Sequence, residues 1–113
     1  MYDILCLVKV VRMHKKVVKE LEKLDFAMKR RLAELFALLA EGEGLGMPLS
    51  RPMPVVEHGV HELRVKDRSG QYRAFYYTKK ADAILVFHFF KKKTQETPLQ
   101  EIETAKGRLK EML

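Results

Sequence analysis

The apolar positions of this chain change period as one reads along it, and each change marks an element. Tyr2–Met13 (YDILCLVKVVRM) is a short run rich in Val, Ile and Leu, which predicts an interior strand. From His14 onward the spacing turns helical: Val17, Val18, Leu21 and Leu24 recur first, then Met28, Leu32, Leu35, Phe36 and Leu39. Asp25 lies between the two sets as a helix N-cap, so the segment reads as a helix hairpin. EGEGLGMP (41–48) ends it, with glycines suited to left-handed turns and a proline that cannot continue a helix. These glycines follow a helix, whereas a phosphate-cradling loop follows a strand and opens a helix.

The remainder reads as two tight hairpins and a closing helix. VHELRVK and QYRAFYYT flank the turn DRSG, and AILVFHFF follows KKAD. Thr97 is placed to cap the last helix, with Pro98 at its first position and Gln100 reaching back. Leu99, Ile102, Ala105, Leu109 and Met112 form that helix's apolar stripe.

With 67–70 and 79–82 as the loops, antiparallel pairing sets Arg64 opposite Arg73 and Arg73 opposite His88. Alternation then assigns the faces. Leu63, Val65, Tyr72, Ala74, Tyr76, Leu85, Phe87 and Phe89 make a wholly apolar face, to be covered by the helix hairpin. The opposite face collects Glu62, Arg64, Lys66, Gln71, Arg73, Phe75, Tyr77, Ile84, Val86, His88, Phe90 and Lys92. In this register Arg64, Arg73 and His88 form a row across three strands. Stacked cations repel one another, so such a row favours an anion between them, or Glu62 beside them.

Charge sharpens that picture. Residues 64–93 hold nine basic side chains against two acidic ones, whereas residues 1–63 and 94–113 are nearly neutral, so the formal excess of +7 sits in one block. A concentrated basic patch attracts polyanions such as nucleic acid. Cys6 is the one cysteine, which excludes a disulfide framework and a cysteine-built metal cage. His58 and His61 stand three apart without a cysteine or carboxylate at ligand spacing, so no metal is expected. Three lysines at a strand end (91–93) are too few for a nuclear-import tag. The N-terminal run opens with Asp3 and is cut by Lys9, unlike a signal peptide. The run 83–90 is too short to span a bilayer. A single soluble domain over residues 1–113, in the cytoplasm, is expected.

HELR (61–64), YRAFYY (72–77), FHFFKKKTQETP (87–98) and the pair Ala105 and Arg108 together resemble the phage-derived branch of the RelE/HigB toxin superfamily. The resemblance runs over nearly the whole chain, including the strand–helix–helix start and the loop with Gly44 and Pro48. The lysine motif with its Thr, Gln and Pro is its most specific part. Phe89 stands where the family usually has glycine, and Glu96 replaces a common lysine. The resemblance implies a RelE-like α+β fold. An N-terminal strand and a three-stranded C-terminal meander would form a small, mostly antiparallel sheet, covered by the helix hairpin and closed by a C-terminal helix. It further implies an mRNA interferase of a toxin–antitoxin pair, cutting mRNA in the ribosomal A site, with a small helix-turn-helix antitoxin as partner and no cofactor.

Carried over by position, the phosphate-contacting residues fall on Arg64, Arg73, Lys92 and Lys93, and His88 matches a family histidine. Metal-independent RNA cleavage uses the 2′-hydroxyl as nucleophile, a base, an acid and cations for the phosphorane. The expected catalytic set is therefore Arg64, Arg73, His88 and Lys92, with Lys66, Tyr77, Lys91 and Lys93 as RNA-binding residues. Arg64 and Arg73 form the clamp, His88 serves as base or acid, and Tyr77 or Phe75 stacks a base. Two rivals stay open: a module of the same fold that binds RNA, ribosome or DNA without cleaving, and an antitoxin-bound corepressor. Parity separates the lysines, with Lys92 sharing the arginine face and Lys91 pointing away.

Overall fold

The computed structural model describes residues 8–93 and 96–113. It is an α+β fold with a five-stranded mixed sheet and three helices. In chain order the elements are β1 (Val10–Met13), α1 (Lys15–Glu22), α2 (Phe26–Ala40), β2 (Ser50–Pro52), β3 (Val60–Asp67), β4 (Gly70–Tyr77), β5 (Ala83–Lys92) and α3 (Leu99–Met112). The sheet order is β1-β5-β4-β3-β2, parallel between β1 and β5 and antiparallel elsewhere. Among the described residues no helix is long and apolar enough to cross a membrane.

The helix hairpin forms where the periodicity places it. Asp25 caps α2, its Oδ1 accepting from the Met28 amide at 2.9 Å, and His14 caps α1 through Nδ1 at 3.1 Å from the Lys16 amide. Val17, Met28, Leu32, Leu35, Phe36 and Leu39 pack on Leu63, Val65, Tyr72, Ala74, Tyr76 and Phe89. Of the strand expected over residues 2–13, residues 2–7 lie outside the described residues; residues 8 and 9 are not in a strand, and β1 starts at Val10. β1 takes an edge position instead of an interior one, with Val10 exposed.

Three differences from the expected layout matter for the site. First, β2 adds a strand beyond the N-terminal strand and the meander, pairing Ser50, Arg51 and Pro52 with Leu63, Glu62 and His61. Second, β4 and β5 pair in a different register. Arg64 does face Arg73, but Arg73 faces Phe90, and His88 faces Phe75. The chain between β4 and β5 uses more residues than the KKAD turn, and a bulge between Phe75 and Tyr76 leaves Phe87 as the extra residue. A single-residue slip inverts faces. Accordingly Ile84 and Val86 join the α1–α2 core, while Leu85 and Phe87 move to the other side. The bulge adds a second offset and so returns His88, Phe90 and Lys92 to the polar face. The inverted segment tolerates this because every residue from Ala83 to Phe87 is apolar.

Third, that other side is not open. α3 lies on it, so Ala105 and Leu109 form a second core with Met53, Val56, Val60, Phe75, Leu85 and Phe87. Leu99 is exposed and takes no part. Thr97 does not cap α3. Pro98 holds the N-cap position without a side-chain bond, and the Thr97 hydroxyl donates to Glu62 Oε2 at 3.3 Å instead.

Candidate phosphate-binding site

Beyond the edge of the second core, the α3 side of the sheet becomes polar, because β2, β3, β4 and β5 each project a charged side chain there. Glu62 is the hub. Its side chain is 0 % exposed, and its Oε1 lies 3.1 Å from Arg51 Nε, 3.6 Å from Arg73 Nε and 3.9 Å from Arg64 Nε. Cross-strand pairing explains the convergence, since Arg51 faces Glu62 directly and Arg64 faces Arg73. A buried carboxylate is costly without compensation, and several cations plus the Thr97 hydroxyl supply it.

Arg73 is itself buried. Its Nη1 donates to the Tyr72 carbonyl at 3.1 Å and Nη2 to Gln71 Oε1 at 3.2 Å. Burial lowers its proton affinity, Glu62 partly restores it, and Arg64 and Arg51 lower it further. Lys92, paired with Gln71, completes the group on β5. Its pKa is also lowered, first by burial and then by Arg73, with Arg64 and Arg51 adding to the effect and Glu62 opposing it. A cleft of about 500 Å³ opens beside these residues, lined by Arg31, Arg64, Lys66, Gln71 and Arg73 among others. The arrangement holds several fixed cations around one carboxylate, a geometry fitted to phosphate oxygens.

Of the expected site residues, Arg64, Arg73 and Lys92 share this face. Lys66 is exposed opposite Gln71 at its rim, and Lys93 is exposed just past β5. Lys91 points to the other face, opposite Tyr72, and lies across Gly70 so closely that a Cβ there would fall 2.6 Å from its Cε. Tyr77 stands on the right face but at the far end of β4, packed against the second core. Four residues of strand separate it from Arg73, roughly 13 Å, which removes it from the cluster.

His88, expected in the catalytic set, also lies outside the cluster. It is not in a row with the arginines. It is buried under α3, with Nε2 2.7 Å from Glu101 Oε1 and its ring stacked on Phe90 at a centroid distance of 5.3 Å. The bulge and the α3 packing put it there. Ala105 and Arg108 also serve the α3 seat: Ala105 is in the second core, and Arg108 grips both Glu20 oxygens at 3.2 Å across to α1. Arg51 was missed because β2 is three residues long and ends in proline, too weak a strand signal to pair, whereas Glu62, expected beside the arginines, stands at their centre.

Burial pushes the His88 imidazole below its usual pKa, with the Glu101 bond acting against that shift. The sign follows by linkage. The unfolded imidazole takes a proton near its ordinary value of about 6.5, which the folded one resists, so this contribution to stability is present above that value. It is lost as pH falls through the folded pKa. Thermal unfolding is therefore expected to shift to lower temperature from pH 7 to pH 5, and His88→Gln is expected to flatten that slope. An equal slope in the variant would assign the pH dependence elsewhere.

No curated protein matches the chain. Residues 19–110 match the family described as Phage derived protein Gp49-like (DUF891), a stretch that contains every residue of the cluster. The chain belongs to this phage-derived Gp49-like family.

Proposed function

We propose that this protein is the toxin of a toxin–antitoxin pair, and that it inhibits translation as a ribosome-dependent, metal-independent mRNA endoribonuclease. The observation that carries the reading is the convergence of Arg51, Arg64 and Arg73 on one buried carboxylate beside a cleft, with Lys92 on the same face opposite Gln71. The Gp49-like family has toxin–antitoxin associations, which supports the biological setting.

In the proposed reaction Arg64 and Arg73 hold the scissile phosphate and stabilise the charge of the phosphorane. The 2′-oxygen attacks phosphorus as its proton leaves to a base, the bond to the 5′-oxygen breaks, and that oxygen takes a proton. The products are a 2′,3′-cyclic phosphate and a 5′-hydroxyl. Lys92 is the group placed for proton transfer, because burial and its cationic neighbours make its ammonium more acidic. His88 leaves the catalytic set and holds α3. Lys66 and Lys93 meet flanking phosphates, and a small helix-turn-helix antitoxin covers the protein in the cytoplasm until release.

Primer extension on mRNA from induced cells tests this. Codon-phased cuts are expected with the wild-type protein, whereas growth arrest with intact mRNA would favour a non-cleaving RNA- or ribosome-binding module. The lysines supply a finer check. Lys92→Ala is expected to lower cleavage about 10²-fold as a lost proton-transfer group. Lys91→Ala removes an exposed charge on the other face and is expected to lower it only about twofold to threefold. A reversed order would break the assignment of faces.

A further inference from the structure

We infer that Glu62 is a positioning residue that presets three guanidinium groups for phosphate, and that Arg51 is the third of those groups. This deepens the RNA-cleaving reading above and rests on it for the substrate. The geometry concerns which edge of each arginine is used. Arg51 donates its Nε–H to Glu62 Oε1 at 3.1 Å, while Nε of Arg73 and of Arg64 face the same oxygen as ion pairs at 3.6 and 3.9 Å, beyond hydrogen-bond reach. The other oxygen accepts from Thr97.

A guanidinium has five N–H donors in a fixed plane, and one of them is on Nε. Holding the stem side of the plane leaves the outer Nη groups to face a ligand. Arg73 spends two of its Nη donors on Tyr72 and Gln71. Among the described residues no hydrogen bond occupies the Nη groups of Arg51 or Arg64. Three strands deliver these arginines, and without a shared anion their repulsion would splay them. Glu62 sets their directions before substrate arrives, and the four cations still outnumber the one carboxylate.

Binding and turnover should respond differently to Glu62 substitutions. Glu62→Gln keeps the shape and removes a negative charge, so affinity for a single-stranded oligonucleotide should hold or rise. Misdirected guanidiniums should nevertheless lower kcat by about tenfold or more, with KM little changed. Nitrogen–proton NMR of the wild-type protein should show a protected Nε–H signal for Arg51, which donates to Glu62, and Glu62→Gln should weaken that protection. Where Glu62→Gln fails to fold, Glu62→Asp replaces it. That variant keeps the charge on a shorter stem, and the expectation is lower kcat with an unchanged salt dependence of binding.

Arg51→Ala should reduce the slope of log affinity against log salt by about 0.7, the contribution of one phosphate contact on a single strand, and Arg64→Ala should reduce it by a similar amount. Unchanged kcat and unchanged Nε–H protection in the Glu62 variants would overturn the role of Glu62. An unchanged salt slope would remove Arg51 from the site. If the wild-type protein cuts no RNA, the cleavage reading fails, while the NMR and salt-slope measurements still decide both assignments.

Discussion

Arg73→Ala is expected to abolish codon-phased mRNA cleavage and relieve growth arrest, with a loss in turnover of about 10²–10³-fold, the scale for removing a preorganised donor to developing negative charge. Arg73 is the most constrained cation of the cluster. Its side chain is 4 % exposed, its Nη groups are anchored on Tyr72 and Gln71, and its Nε faces Glu62. A side chain so fixed has little entropy to lose on meeting a phosphate, and it lines the cleft beside Arg64 and Lys66.

The stability cost must be separated from that loss. Truncation removes a packed stem and one partner of a buried carboxylate, yet Arg51 and Arg64 still face Glu62. A destabilisation of about 1–3 kcal/mol is expected, which circular dichroism at increasing temperature measures independently. Arg73→Lys is the informative companion. It keeps the charge and most of the stem but loses the planar fork, so it should fold better than the alanine variant and still cleave poorly. A folded Arg73→Ala protein that cuts mRNA at the wild-type rate would place the reaction elsewhere.

What the sequence could tell about this site follows from how far apart the partners lie. The Arg64–Arg73 pair was legible because one four-residue turn, DRSG, joins the strands and sets the register at once. The opposite directions of Lys91 and Lys92 were legible because the bulge restored the parity that the β4–β5 slip had inverted. The placement of His88 was not, because in the stretch 83–87 either face can be buried and nothing in the pattern penalises the slip. Its partner Glu101 comes from a helix whose docking depends on Ala105 and Leu109 rather than on any local signal. Arg51 needed β2, where three residues and a proline carry almost no strand preference. One clue was available for Glu62: a lone acid on the predicted arginine face, where burial among cations is the arrangement of lowest cost.

Phe75→Ala is expected to be the most damaging core substitution, costing about 3–5 kcal/mol. The ring is 0 % exposed and sits where the bulge begins, opposite Glu62 on β3 and His88 on β5. Its centroid lies 6.3 Å from Phe87, 5.8 Å from His88 and 5.7 Å from Phe90, the last edge-on. Removing it therefore opens a cavity beneath α3 and withdraws the common neighbour of three rings, each aromatic contact adding about 0.5–1.5 kcal/mol beyond its buried area. Domains of this size have about 5–15 kcal/mol of stability in total, so the variant should sit near its unfolding threshold, with a Tm lowered by more than about 10 °C. Phe75→Leu retains much of the volume and should lose clearly less. Because Phe75 is two residues from Arg73 and faces Glu62, cleavage should fall in the alanine variant in step with the unfolded fraction and recover on cooling. Arg73→Ala should not recover, since its folded protein lacks the clamp. Denaturant unfolding of both variants, followed by cleavage at two temperatures, separates the two causes. A Phe75→Ala protein losing under about 1 kcal/mol would mean that the α3 core collapses around the cavity, and that the sheet's polar end is held by Glu62 and its arginines without help from that core.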